Sequence, residues 1–252
     1  MEPKYMDGFT NYDYAVLKAG LKTLGLRYDS EVLETFARYH SMIVSWNKIV
    51  NLTSIVDWEG VVWRHFLDSA AVSISHPFQT TDVLRVLDVG SGAGFPGIPL
   101  KIIFPNMKFS LLDSVRKKTR YLESVCDKLK FEHTEVLTGR AENFARNVVH
   151  RESYDVVVSR AVAEMNVLLE LTLPFCRIGG TLVAMKGDGV KNELERAEPA
   201  VRRLGGELVE VIRCADRYEF MNGSLVIISK VSPTPETFPR RPGIPSKRPL
   251  LK

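Results

Sequence analysis

The 252-residue chain is poor in cysteine, and its three, Cys126, Cys176 and Cys214, are odd in number and far apart. They offer no disulfide framework and no zinc knuckle, and they suit a reducing cytosol. No apolar run approaches the roughly 20 residues that a bilayer span requires. The stretch "MEPKYMDGFTNYDY" lacks the apolar core of a signal peptide. A cytoplasmic location without a membrane partner is therefore expected. The five histidines, at 40, 65, 76, 133 and 150, show no metal-ligand spacing, so no metal is expected. Nor is there a large charge excess. A net charge of +4 and a pI of about 8.9 permit a polyanionic partner without requiring one.

What is present is a change of pattern near residue 80. In "YAVLKAGLKTLGL", "EVLETFARYHSMIVSWNKIV" and "WEGVVWRHFLDSAAVSI", apolar residues recur three and four apart, the spacing of amphipathic helices, with Asp57 as a candidate N-cap. Residues 1–80 read as an N-terminal helical extension. From 81 to 231, short apolar β-rich runs alternate with helical stretches. The runs are "VLRVLDV" (83–89), "KFSLLD" (108–113), "TEVLTG" (134–139), "YDVVVSR" (154–160) and "TLVAMKG" (181–187). Such alternation predicts an α/β fold, a parallel sheet covered by helices on both faces. "ELVEVIRCA" and "GSLVIISKV" have no long helix between them and predict an antiparallel pair. Residues 232–252 hold six prolines and five Lys or Arg against one Glu, which predicts an extended basic tail without regular structure.

The most informative stretch is "VLDVGSGAGFPGIPL" (86–100). A glycine-rich turn after a strand lets backbone approach a ligand closely, and the following helix points its amides at it. Gly92, Gly94 and Gly97 fit the dinucleotide spacing G-x-G-x-x-G; Asp88, Gly90, Gly92 and Gly94 fit D-x-G-x-G-x-G, a pattern associated with S-adenosylmethionine. Asp113, ending the second run, suits a ribose diol under either reading, or caps the next helix unless Ser114 does so. Three features favour S-adenosylmethionine over NAD. A carboxylate at Asp88 suits a cationic amino-acid group and repels a pyrophosphate. Pro96 and Pro99 remove amides that a pyrophosphate would use. Ala141 and Glu142, in "GRAENF", fall at a strand end beside the crevice, although Glu142 also reads as an ordinary first-turn acid.

Other candidates follow from charge. Arg160 closes an apolar strand and calls for an anion, either a cofactor carboxylate, an RNA phosphate or a structural partner. Arg116, Lys117, Lys118 and Arg120 open a helix against its dipole, which points to a polyanion. Arg240, Arg241, Lys247 and Arg248 give the tail a phosphate-gripping set or a merely solvated one. In "RHFLDS", His65, Asp68 and Ser69 lie too close along one helix to converge as a triad.

The segments "WNKIVNLTS", "RHFLDS", "LDVGSGAGFPGIPLKI", "LLDSVRKKTRYL", "GRAENF", "VVSRAVA", "GGTLVAMKG" and "FPRRPGIPSKRPL" fall in an order that resembles the bacterial small-subunit (16S) rRNA guanine-N7 methyltransferases, the glucose-inhibited division protein B family. The resemblance spans most of residues 41–250. It implies a class I methyltransferase, Rossmann-like fold with a mostly parallel seven-stranded sheet over 81–231, helices on both faces and an N-terminal helical extension. It also implies S-adenosylmethionine as cofactor, with contacts at Gly90, Phe95, Ala141, Glu142 and Arg160. The implied partner is 16S rRNA or the small ribosomal subunit, and a monomer is expected. No amino-methyltransferase N/D-P-P-Y/F motif and no proline-cysteine context appears. Guanine N7 needs neither, because it carries an in-plane lone pair and no proton, so no catalytic base is assigned.

Overall fold

The computed structural model describes residues 12–80, 82–187, 189–218 and 223–250. The chain opens with α1 (Ala15–Thr23) and α2 (Ser30–Asn47), the second capped by Asp29, whose side chain accepts the Val32 N–H. A third helical stretch changes its winding along its length. α3 (Trp58–Val61) starts on Asp57, which accepts the Gly60 N–H as expected of the N-cap. A π-helical segment follows over Val62–Leu67, then α4 (Asp68–Ala70) and a 3-10 turn at Ala71–Ile74.

The sheet strands are β1 (Arg85–Val89), β2 (Lys108–Asp113), β3 (Thr134–Thr138), β4 (Tyr154–Arg160), β5 (Cys176–Lys186), β6 (Gly206–Arg213) and β7 (Ser224–Lys230). Between and beyond them run α5 (Gly97–Ile103), α6 (Arg116–Lys128), α7 (Ala141–Phe144), α8 (Met165–Thr172), α9 (Val190–Arg203), α10 (Cys214–Arg217) and α11 (Ile244–Lys247). The strand order is β3-β2-β1-β4-β5-β7-β6. β1 to β5 pair in parallel, and β7 is antiparallel to both β5 and β6. The chain winds outward from β1 to β3, then returns to β4 on β1's other side. The loop after β1 thus lies at the reversal point, where open α/β sheets bind ligands.

Two apolar clusters cover the sheet. One joins the N-terminal helices, α5 and α6; the other joins α8, α9 and the C-terminal segment. Leu17, Leu21, Phe36, Tyr39, Ile43 and Phe66 are fully buried in the first, each contributing on the order of 2 kcal/mol. The N-terminal helices therefore extend the core on the face of the sheet that carries α5 and α6. Tyr39 reaches furthest: its hydroxyl donates to the Ala93 carbonyl in the glycine loop at 2.6 Å.

The C-terminal segment departs from the expected extended tail. Its prolines do prevent a long helix, but one turn forms at α11 and the chain packs down. Phe238 and Leu250 are buried. Arg146 donates to the Pro239 carbonyl at 2.6 Å, and Arg151 donates to the Phe238 and Thr234 carbonyls at 2.9 and 2.7 Å. Arginines of the sheet domain thus satisfy carbonyls that no regular structure would.

Candidate active site

The loop from Gly90 to Gly97 is held from beneath by two carboxylates. Asp88, fully buried, accepts the Gly97 N–H on Oδ2 at 2.9 Å, while its Oδ1 has no partner. Burial raises its pKa from 3.8 to about 7 against the opposing Gly97 hydrogen bond. Asp113 accepts the Gly92 N–H at 2.9 Å and the Val115 N–H at 2.8 Å, one on each oxygen. Neither Asp113 nor Ser114 caps α6, whose N-cap is Val115.

The glycines are needed for different reasons. Gly90, Gly92 and Gly94 have φ of +77°, +58° and +98°, a region that side chains disfavour. At Gly97, a Cβ would stand 2.4 Å from Leu111 and 2.7 Å from the Asp88 carboxylate. At Gly92 the surroundings are open, with the nearest atoms 3.8 Å or more away, one of them the Lys118 Nζ.

These features fit the cofactor that the sequence suggests. Gly92 leaves room above the loop. Each Asp113 oxygen retains acceptor capacity suited to a ribose hydroxyl. Asp88, with one oxygen unpartnered, lies under the loop and when ionised favours a cationic group nearby, though its burial makes it a support for the loop more than an exposed contact.

The far wall of the loop leads into a second space. Phe95 is buried, with its ring stacked on His65 at 4.5 Å and the Arg160 guanidinium 4.7 Å from its centroid. Arg160 pairs with Asp68 at 3.1 Å and also donates to the Arg64 carbonyl at 3.2 Å. Of the anions considered for Arg160, the protein supplies one itself, from the "RHFLDS" segment. Burial and then Arg160 lower the His65 pKa to about 4, so the ring is neutral. Its Nδ1 lies 2.8 Å from the Arg64 carbonyl and 3.4 Å from the Arg160 guanidinium, and its Nε2 lies 2.8 Å from the Thr53 hydroxyl, so the ring is held at both nitrogens. Burial raises the Asp68 pKa, with Arg160 opposing the shift.

His65, Asp68 and Arg160 line a cavity of about 760 Å³ at the C-terminal ends of β4 and β5, together with Trp63, Lys186 and Glu193. The π-helical winding presents Trp63, Arg64 and His65 to this space; such segments recur at functional sites. Sequence reasoning misses Trp63, Lys186 and Glu193. The Lys186–Glu193 pair, 2.6 Å, bridges β5 and α9, and no short motif marks it.

Ala141 and Glu142 open α7 after β3, as expected. The Glu142 side chain is turned away from a solvent-facing role: it is almost fully buried, bonded to Arg140 at 2.9 Å and to the Gly243 N–H at 2.9 Å. The basic candidates divide. Arg116, Lys117 and Arg120 are exposed, whereas Lys118 is half-buried over the loop. Arg241, Lys247 and Arg248 are exposed. Arg240 corrects the expectation of a phosphate grip. Its backbone N–H and guanidinium place four hydrogen bonds of 2.6–3.1 Å on the fully buried Glu170 of α8, so its charge is already matched within the fold. Among the described residues, no helix is long and apolar enough to cross a membrane.

The family model described as rRNA small subunit methyltransferase G, GidB, matches residues 32–221. A curated relative named ribosomal RNA small subunit methyltransferase G, from Carboxydothermus hydrogenoformans, is 44% identical over 236 residues, covering 94% of this chain and 99% of the relative. Another of the same name, from Roseiflexus castenholzii, is 46% identical over 230 residues, covering 90% and 95%. Among solved structures, the O-methyltransferase TomG from Streptomyces achromogenes, in complex with SAM, superposes with a TM-score of 0.55 at 12% identity, over 86% of this chain and 96% of that one. At that identity the likeness speaks for the fold, which is that of the class I methyltransferases. With matches over most of its length, the chain belongs to the GidB family, the rRNA small subunit methyltransferases G.

Proposed function

We propose that the chain transfers the methyl group of S-adenosylmethionine to N7 of one guanosine in 16S rRNA, in the cytoplasm and as a monomer. The observation that carries this reading is the shared wall: Phe95, His65 and Arg160 separate the glycine loop from the adjoining cavity by the thickness of a few side chains. On this reading the loop is the cofactor site and the cavity beside it is the acceptor site.

Bound S-adenosylmethionine would supply an electrophilic methyl on a sulfonium. On this reading Gly90, Gly92 and Gly94 form the close backbone approach, and Asp88 fixes their conformation from below. Asp113 receives the ribose hydroxyls, and the backbone at Ala141 and Glu142 borders the adenine. Arg160, already cationic and oriented by Asp68 and Phe95, faces the charged amino-acid end. The chain need not remove a proton, because N7 attacks with its in-plane lone pair. Its task is to hold a splayed base in line, and such positioning supplies several kcal/mol of barrier reduction. The neutral, doubly bonded His65 agrees with this, since it is fixed as a wall and is not poised as a base. Arg116, Lys117 and Arg120, with Arg241, Lys247 and Arg248, provide phosphate contacts that position the RNA.

Incubating the chain with methyl-labelled S-adenosylmethionine and 16S rRNA lacking the modification tests the reading. Label recovered as 7-methylguanosine is expected. Label in a different nucleoside would overturn the N7 assignment, and no transfer to RNA would overturn the activity. Calorimetry adds a check on the cofactor. Asp113→Ala should weaken S-adenosylmethionine binding by roughly 10- to 150-fold, the loss of hydrogen bonds to a charged acceptor, and NAD should not bind.

A further inference from the structure

The two carboxylates that line the cavity, among the described residues, are engaged differently. Glu193 places Oε2 on the Lys186 ammonium at 2.6 Å and on the Met165 backbone N–H at 3.0 Å. It ties α9 to β5 and to the start of α8, and its role is spent on the fold. Asp68 meets Arg160 through Oδ2 at 3.1 Å, and its side chain remains 30% exposed toward the cavity. It is carried on the helical stretch whose π-helical part also brings Trp63 to the same wall.

We propose that Asp68 is the specificity residue for the acceptor base: its carboxylate receives the N1–H and the 2-amino N–H of guanine, while Arg160 balances its charge. The inference rests on reading the chain as a guanine-N7 methyltransferase. An ionised carboxylate only accepts hydrogen bonds. Guanine presents two adjacent donors on its Watson–Crick edge and matches it. Adenine presents an N1 acceptor there, which the carboxylate repels. Gripping guanine by this edge also leaves N7, on the opposite edge, free of protein hydrogen bonds. Arg160 makes the arrangement sustainable. A lone carboxylate covered by a base would be driven to protonate and would then lose half of its acceptor pattern; Arg160 opposes the upward shift that burial imposes and favours the charged form. Trp63 brings an aromatic side chain against which an unstacked base can pack, as in single-stranded RNA recognition.

The test compares wild-type and Asp68→Ala enzymes on RNA carrying guanosine or inosine at the methylated position, mapped beforehand with the wild-type enzyme. Inosine keeps N1–H and N7 and lacks only the 2-amino group. The wild-type enzyme should favour guanosine in kcat/KM by roughly 10- to 100-fold, the worth of one charge-assisted hydrogen bond. In Asp68→Ala the preference should shrink to within about threefold, chiefly through loss of rate on guanosine. Asp68→Asn, which keeps the shape but turns a donor toward the base, should behave the same way if the alanine variant folds poorly. Any change in affinity for S-adenosylhomocysteine, read by calorimetry and passed on through Arg160, is common to both RNAs, so the guanosine-to-inosine ratio still reports on Asp68 itself. Equal losses on guanosine and inosine, with the ratio preserved, would overturn the proposal and make Asp68 a positioning residue for Arg160. A wild-type enzyme indifferent to the 2-amino group would also overturn it. A wild-type enzyme that forms no 7-methylguanosine would instead overturn the functional reading on which the proposal stands.

Discussion

Replacing Asp88 with Asn should change how stability depends on pH, by an amount the structure sets. The side chain is fully enclosed, accepts one N–H from Gly97, and leaves Oδ1 without a partner. Burial is the largest influence, and it raises the folded pKa from 3.8 to about 7. A carboxyl that holds its proton more tightly when folded contributes stability that is complete below the unfolded value. That contribution fades as pH rises through about 7. A difference of roughly three pH units at 1.36 kcal/mol per unit corresponds to about 4 kcal/mol lost between pH 4 and pH 8. Asparagine keeps an acceptor for Gly97 but does not titrate. Its new amide N–H sits where Oδ1 lacked a partner and costs about 1–3 kcal/mol, equally at every pH. The assay is urea unfolding of the ligand-free protein at pH 5, 6, 7 and 8. The free energy of the variant minus that of the native chain should climb by up to about 1.4 kcal/mol per pH unit and level off above pH 7–8. Parallel profiles would show that Asp88 is ionised in the fold throughout, and would refute the burial argument.

Further outcomes follow from the same geometry. Arg240→Ala should leave the buried Glu170 without a counter-charge, held only by the backbone N–H of residue 240, and lower stability by about 3–5 kcal/mol, seen as a fall in the urea midpoint. Gly97→Ala, forced against Leu111 and Asp88, should cost about 1–3 kcal/mol in the same assay and weaken S-adenosylmethionine binding by calorimetry. Converting Arg241, Lys247 and Arg248 to Ala together should leave stability and cofactor affinity nearly unchanged. It should reduce the slope of log affinity for RNA against log salt by about 0.7–0.9 for each phosphate that is no longer neutralised, measured by filter binding.

The parallel strands are legible in the sequence because strands covered on both faces must be apolar throughout; "VLRVLDV" and "YDVVVSR" leave little choice. The antiparallel edge is legible from the lack of a long helix between β6 and β7, where only the single turn of α10 forms. The apolar pattern places the start of β5 at Thr181, whereas the strand begins at Cys176. Arg177, Ile178 and Gly179 near its start are exposed, and the pairing with β4 shifts register there, so no apolar run announces them. The tail escapes the sequence for a different reason. Proline content speaks to local hydrogen bonding, but the order of residues 234–250 comes from Arg146, Arg151 and Glu170, far away in sequence. The candidate site shows the same division. Asp88, the glycines and Asp113 lie in short motifs tied to a strand end and can be found. The Asp68–Arg160 pair joins residues 92 positions apart. Its traces are Arg160 at the end of an apolar strand and "RHFLDS", a charged cluster in a helix whose π-helical winding no periodicity reveals.

Methylation at N7 of one guanosine, as proposed, gives a product whose chemistry offers a direct measurement. A 7-methylguanosine carries a cationic, labile ring, so mild reduction followed by aniline breaks the RNA strand at that nucleotide. Applied to 16S rRNA from cells with and without the active chain, the reaction should give one additional cleavage in the first sample, at a single guanosine. Identical cleavage patterns, with methyl label from S-adenosylmethionine recovered on a different atom of the RNA, would contradict the account.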